Sequence, residues 1–119
     1  MDLKIKRVYE APGDGDGFRV LVDRLWPRGL SKDRAAVDQW LREVAPSNAL
    51  RKWFGHDPVR WDEFQARYRA ELQQDEAAAA LCVLREQAVA HPVTTLLYAA
   101  HDEARNNAVV LRELLQARG

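Results

Sequence analysis

The sequence predicts an α/β fold in which a small, mostly parallel three-stranded sheet packs against about five helices. Residues 93–99 form an almost continuous apolar run, which is typical of a strand buried on both faces. Helical patterns precede and follow this run. A right-handed crossover is therefore expected to return the last strand beside an earlier one.

Length, charge and cysteine content restrict the class of protein. The 119 residues fit one α/β domain spanning 1–119, with a core that needs no metal or disulfide. The formal net charge is zero, from 18 basic and 18 acidic residues, which makes nucleic acid an unfavoured partner. The single cysteine, Cys82, excludes an internal disulfide and a multi-cysteine zinc site, and its position between Leu81 and Val83 predicts a buried, inert thiol.

Two strands are predicted near the start of the chain. Residues 3–8 alternate imperfectly between apolar and charged side chains, and residues 18–23 are β-branched and mostly apolar. A turn-forming run of glycine, aspartate and proline joins them at residues 11–17. The short connector favours a hairpin, and the loop composition leaves a parallel pair open.

Helices are predicted for most of the middle of the chain. Ser31 is a candidate N-cap for a helix whose apolar side follows the helical period and which ends before Pro46 (Val37, Trp40, Leu41, Val44). Ser47 is the expected cap of a short helix ending at Gly55, and Asp57 with Pro58 opens a third. The third helix carries its apolar stripe at positions 61, 64, 68 and 72.

Two more helices flank the apolar strand. A fourth helix is predicted from about Asp75 to Ala90, and a closing helix carries Ala104, Ala108, Leu111 and Leu115 on one side. The residues expected in the core are Trp40, Trp61, Phe64, Tyr68 and Leu97.

The first candidate cluster follows the second strand. Ligands of open α/β sheets bind beyond the carboxyl ends of the strands, where Asp23, Arg24 and Arg28 are expected. Two guanidinium groups can hold a carboxylate or phosphate with paired N–H bonds, and Trp26 offers a flat wall. The alternative is structural: Arg24 pairs with a buried carboxylate and Trp26 packs in the core.

The second cluster follows the apolar strand. Tyr98 ends this strand, Asp102 is more readily a helix cap than a catalyst, and Asn106 is expected near the first helical turn, where it can reach the crevice. Asn107 is expected to point closer to the sheet. The start of a helix favours an anion.

The third cluster lies between Pro46 and Pro58. It brings Ser47, Arg51 and His56 together with two aromatic residues, a composition that suits base stacking and phosphate contact. It suits equally a helix that buries its aromatic residues and exposes its cations, with His56 as an ordinary loop residue.

Several motifs are absent from the sequence. It has no glycine-rich phosphate loop, no nucleophile elbow and no pair of histidines at helical spacing, so no metal and no particular cofactor are indicated. The charged start excludes a signal peptide, and no apolar run reaches the length of a membrane span. We expect a cytoplasmic protein without membrane contact, and the pattern assigns no oligomeric state.

The motifs resemble one known family. Residues 19–29, including Arg-Leu-Trp-Pro-Arg-Gly, and the segments 45–54 and 96–108 resemble the YeaO-like branch of the domain-of-unknown-function family numbered 488. The resemblance implies a compact α/β domain and no assigned biochemistry. Other branches carry a cysteine at the position of Tyr98 and a Cys-His-Arg run near Asn106. This sequence lacks both, so the resemblance implies no thiol or metal chemistry here.

Two functions remain open from the sequence. The first is a site for a small anionic molecule, with or without catalysis, between Arg24, Arg28, Tyr98 and Asn106. The second is an interaction or regulatory module that exposes tryptophan and arginine. A concave pocket holding the arginines favours the first, and a flat exposed tryptophan surface favours the second.

Overall fold

The sheet contains four parallel strands. The computed structural model describes residues 1–117, so the last two positions of the predicted 1–119 domain lie outside the described residues. The strands are β1 (Asp2–Arg7), β2 (Phe18–Leu21), β3 (Gln39–Trp40) and β4 (Val93–Tyr98), in the order β1-β4-β2-β3. The predicted α/β class is confirmed, and the two-residue β3 is an addition to the three predicted strands.

The hairpin favoured for the first two strands is wrong. Strand β4 lies between them, pairing with β1 from Asp2↔Val93 to Arg7↔Tyr98 and with β2 from Phe18↔Thr94 to Leu21↔Leu97. The connector crosses one face of β4, where the Thr95 hydroxyl donates to the Asp16 carbonyl oxygen at 2.7 Å. Because β1 and β2 pair with β4 on its two edges, the backbone of this buried strand is hydrogen-bonded on both sides.

The long helix predicted to end before Pro46 is also wrong. Ser31 does cap a helix, α1, but this helix covers only Lys32–Ala35, and Ala36 leaves it in the left-handed region. The carboxylate of Asp38 then accepts from the Arg19 amide at 2.9 Å, and β3 pairs with β2. Residues whose apolar positions follow a helical period therefore form the edge strand β3.

The other predicted helices are present, but the closing helix begins at Asn107, so Ala104, which was expected on its apolar side, lies in the preceding loop and is exposed. They are α2 (Asn48–Phe54), α3 (Trp61–Glu71), α4 (Asp75–Ala90) and α5 (Asn107–Gln116). The hydroxyl of Ser47 accepts from the Leu50 amide, and Gly55 ends α2 with positive φ. Asp57 caps a single 3-10 turn that leads into α3. Over residues 1–117, each helix is too short or too polar to cross a membrane.

The core lies on both faces of the sheet. The larger part packs helices α2 to α5 against one face, and the smaller part covers Leu21 and Leu97 on the other. Of the predicted core residues, Phe64, Tyr68 and Leu97 are buried, whereas Trp40 and Trp61 are only half-buried. Both tryptophans border a core cluster without being enclosed by it.

Cys82 is exposed, which corrects the predicted burial. Helix α4 buries Ala80, Leu84 and Ala88, which are spaced four residues apart and share one face. Cys82 lies two residues from Ala80 and therefore points away from that face.

Candidate ligand-binding site

A cavity of about 650 Å³ lies at the carboxyl edge of the sheet. The segments that follow β2 and β4, helix α2 and the start of α5 surround it. Its lining residues are Tyr9, Asp23, Arg24, Leu25, Trp26, Pro27, Arg28, Ala45, Pro46, Arg51, Lys52, Phe54, His56, Phe64, Ala99, Ala100, His101, Asp102, Asn106 and Asn107. Cationic and aromatic side chains thus share one concave surface above the two central strands.

Asp23 joins three elements at the cavity. One of its carboxylate oxygens accepts from the Ala99 amide at 2.9 Å, and the other accepts from the Asn107 side chain at 3.1 Å. The same Asn107 amide also donates to the Val22 carbonyl oxygen at 2.9 Å. Asp23 therefore ties the end of β2 to the end of β4 and to α5.

The surroundings of Asp23 act on its carboxyl group in opposite directions. Burial raises the pKa, whereas the hydrogen bonds from Ala99 and Asn107 and the charges of Arg51 and His56 lower it, and the net result is a raised pKa. The predicted alternative in which Arg24 pairs with a buried carboxylate does not describe Asp23, whose hydrogen bonds come from Ala99 and Asn107.

Arg24 holds the wall of the cavity. Its Nε donates to the Pro46 carbonyl oxygen at 3.2 Å and its Nη2 to the Ala45 carbonyl oxygen at 3.1 Å. These bonds fix the turn that precedes α2. Arg24 is half-buried, and two of its nitrogens are committed to the backbone.

The other cations are on the outer side of the cavity. Arg28, Arg51 and Lys52 are exposed, and within residues 1–117 none of them forms a salt bridge. Arg51 donates to the Asn48 side chain at 2.8 Å. His56 is exposed and has a φ of 58° just after Gly55. A negative ligand would therefore meet several positive groups that form no salt bridge within residues 1–117, although the charge of Arg51 also acts on the Asp23 carboxyl.

Aromatic rings form a fixed apolar wall. Phe54 and Phe64 are buried and stack with 4.3 Å between ring centroids. Trp26 is half-buried, its indole N–H donates to the Leu30 carbonyl oxygen at 2.6 Å, and its ring packs edge-on against Trp40. With its N–H already bonded, the Trp26 ring offers a ligand an apolar surface.

Two of the predicted site residues do not line the cavity. Ser47 instead binds Glu71, to which its amide and hydroxyl donate at 2.9 and 2.6 Å. Tyr98 is 1% exposed and packs in the larger core, where burial raises the pKa of its hydroxyl. Tyr98 therefore does not line the cavity with Arg24, Arg28 and Asn106, although the Asn106 side chain acts on the Tyr98 hydroxyl and lowers its pKa against the effect of burial.

In the loop that follows β4, the helix cap is a different residue from the one predicted. Asn106, not Asp102, is the N-cap of α5: its side-chain oxygen accepts from the Val109 amide at 3.1 Å. Asp102 accepts from the Ala104 and Arg105 amides, and these bonds lower the pKa of its carboxyl. Asn106 and Asp102 both border the cavity.

The cavity contains residues that the sequence did not single out. Lys52, His101 and Tyr9 line it, and Asn107 anchors Asp23. The prediction that Asn107 points toward the sheet is the one sequence observation that indicates this contact with Asp23. Among the residues that the structure describes, no group of three or more histidine, cysteine or acidic side chains is arranged to hold a metal.

The sequence matches one family model over residues 2–118, and that family is described as the inactive DUF488-N3 subclade. The uncharacterised protein Rv3073c of Mycobacterium tuberculosis is 46% identical over 116 residues, covering 98% of this chain and 95% of that protein. The uncharacterised protein YeaO of Escherichia coli is 42% identical over 117 residues, covering 98% of this chain and 99% of that protein. No solved structure matches the chain.

Proposed function

Because the chain belongs to the inactive DUF488-N3 subclade, we propose that it binds a small anionic molecule, a phosphate or a carboxylate, without transforming it. The similarity to YeaO confirms the resemblance predicted from the motifs. The proposed binding site is the cavity at the carboxyl edge of the sheet. The description of this family as inactive favours binding over catalysis.

One observation carries the proposal. Arg28, Arg51 and Lys52 border a concave cavity, and none of them forms a salt bridge within residues 1–117. Guanidinium groups bind carboxylate and phosphate with paired hydrogen bonds, and they do so more strongly where the cavity excludes water. An anion can therefore form paired hydrogen bonds with Arg28 and Arg51, neither of which is engaged in a salt bridge within residues 1–117.

An interaction module with a tryptophan and arginine surface has less support. The indole N–H groups of Trp26 and Trp40 donate to backbone carbonyl oxygens, so both rings are fixed to the fold. Trp53 lies beneath Arg60 and Arg67, whose guanidinium carbons are 5.2 and 4.3 Å from its ring centroid. The tryptophans thus do not form one flat exposed surface.

Thermal unfolding in the presence of small anions tests the proposal. The panel is inorganic phosphate, phenyl phosphate, acetate and phenylacetate. A binding anion at a hundred times its Kd adds about 2.7 kcal/mol to the free energy of unfolding. Arg28→Ala is expected to lower the affinity for the anion about 10-fold or more. Arg34→Ala, at an exposed arginine outside the cavity lining, is expected to leave that affinity unchanged. The proposal fails if no anion stabilises the protein, or if Arg28→Ala leaves the affinity unchanged.

A further inference from the structure

The cavity is too large and too apolar for a bare inorganic anion. Its volume of about 650 Å³ falls within the range of about 300–1,000 Å³ found for sites of small organic molecules. Trp26, Phe54 and Phe64 present ring surfaces, and alanines and prolines fill much of the remaining wall. Such a wall gains binding energy only from an apolar ligand body that displaces water from it.

The cavity lacks the features of a phosphate cradle. Phosphate sites often rely on glycine-rich loops and on free amides at a helix N-terminus. None of the described lining residues is a glycine. At the start of α5, the Val109 amide already donates to Asn106. The anionic group therefore has to be held by side chains, chiefly Arg28 and Arg51.

Asp23 favours a ligand that carries a single negative charge and a hydrogen-bond donor. It is less exposed than Arg28, Arg51 and Lys52, so the cations lie further out and the carboxylate further in. Its negative charge disfavours a ligand with two negative charges. Each of its oxygens accepts one hydrogen bond from the protein and has capacity for another. A hydroxyl or amino group on the ligand can supply that second bond.

On the basis of the proposed function, we infer that the cavity takes a monocarboxylic acid with an aromatic or branched apolar body and a hydroxyl or amino group. The carboxylate binds Arg28 and Arg51 on the outer side, the body packs on Trp26 and Phe54, and the donor group binds Asp23. All three features are required together, because each corresponds to a different part of the cavity surface.

Calorimetric titration of the full chain with six probes tests this inference. 4-Hydroxyphenylacetate carries all three features, phenylacetate lacks the donor, p-cresol lacks the carboxylate, and acetate lacks the body. Inorganic phosphate and phenyl phosphate replace the carboxylate. 4-Hydroxyphenylacetate is expected to bind about 10-fold or more tighter than each of the others, since a hydrogen bond to a charged group has about that effect.

Two variants locate the donor contact. Asp23→Asn is expected to remove most of the difference between 4-hydroxyphenylacetate and phenylacetate while phenylacetate still binds. Asp33→Asn, at an exposed position outside the cavity lining, is the matched control and is expected to keep the difference. If Asp23→Asn does not fold, the comparison of the six probes on the unmodified chain still decides the inference.

The outcomes separate this inference from the proposed function. If phosphate, phenyl phosphate or acetate binds as tightly as the aromatic acids, the inference is overturned and anion binding stands. Equal binding of phenylacetate and 4-hydroxyphenylacetate likewise overturns it. If p-cresol binds as tightly as the acids, or if none of the six binds, the proposed function is overturned as well.

Discussion

Replacing Thr94 by valine is expected to stabilise the protein, whereas the same replacement at Thr95 is expected to destabilise it. The two residues are neighbours on β4 and are 0% and 1% exposed, on opposite faces of the sheet. The Thr95 hydroxyl donates to the Asp16 carbonyl oxygen at 2.7 Å. The Thr94 hydroxyl has no hydrogen-bond partner over the described part of the chain.

The expected magnitudes follow from this difference in hydrogen bonding. A buried hydroxyl without a partner costs about 1–3 kcal/mol, so Thr94→Val should raise the free energy of unfolding by about 1 kcal/mol or more. Thr95→Val removes a hydrogen bond and leaves the Asp16 carbonyl oxygen unpaired, which should cost about 1–3 kcal/mol. The two variants are therefore expected to differ by about 2 kcal/mol or more.

Urea unfolding followed by tryptophan fluorescence and circular dichroism measures both changes. The slope of the unfolding free energy against urea should stay constant, so that the midpoint alone reports stability. A Thr94→Val variant that is less stable than the parent would refute the reasoning. A shift of both variants in the same direction would do so too, because side-chain volume would then outweigh hydrogen bonding.

Three further predictions concern positions outside the cavity. Burial raises the pKa of Asp16, but hydrogen bonds from Gly13, Lys6 and Arg19 outweigh it, so the folded pKa is lowered. The stabilisation by Asp16 is therefore complete above the ordinary aspartate pKa and is lost as the pH falls from there through the lowered folded pKa, so urea midpoints of the parent should drop more steeply with acid than those of Asp16→Asn. Cys82 is exposed, so iodoacetamide should alkylate it in the native protein, and Cys82→Ala should change the unfolding free energy by no more than about 0.5 kcal/mol; protection detected by mass spectrometry would contradict this. Gly17 has a φ of 64°, and an added Cβ would lie 2.2 Å from the Val93 carbonyl oxygen, whereas Gly29 has a φ of 76° and no atom within 4 Å of an added Cβ. In urea melts, Gly17→Ala should therefore lose clearly more stability than Gly29→Ala. Equal losses would show that the positive φ alone decides the cost of the substitution.

The helices that the sequence predicted best have local signals at both ends. Helix α4 begins at Asp75 and ends at Ala90 as expected, because its apolar period is long and Pro92 follows it. Helix α2 lies between the Ser47 cap and the positive φ of Gly55. Such elements depend on contacts within a few residues, which a single sequence displays.

The region between Ala36 and Val44 could not be predicted in the same way. Its apolar positions have a helical period, yet its structure is decided by distant partners. The Asp38 carboxylate accepts from the Arg19 amide, and the Trp40 indole N–H donates to the Asp23 carbonyl oxygen at 2.7 Å. A strand of two residues at the edge of a sheet has no periodicity of its own to detect.

The candidate site shows the same division between local and distant information. The rule that ligands bind beyond strand ends predicts a site in the segment after β2, where Arg24 and Arg28 border the cavity. The rule says nothing about side-chain direction. Tyr98 pairs with Arg7 at the end of β4, but it points into the same core as Leu96. Sequence position alone therefore could not show that the Tyr98 side chain lies outside the cavity lining.

Two polar residues that follow the end of β2 also form hydrogen bonds that connect the elements of the fold. Asp23 joins β2 to β4 and α5, and Arg24 fixes the carbonyl groups of Ala45 and Pro46 before α2. Those hydrogen bonds fix the orientation of Arg24 and leave it fewer N–H groups for a ligand. The cations that are more exposed than Arg24 are Arg28, on a loop, and Arg51, on helix α2, where it also donates to the Asn48 side chain. In the proposed function, ligand recognition depends on these exposed cations, and their arrangement depends on the half-buried Asp23 and Arg24 beneath them.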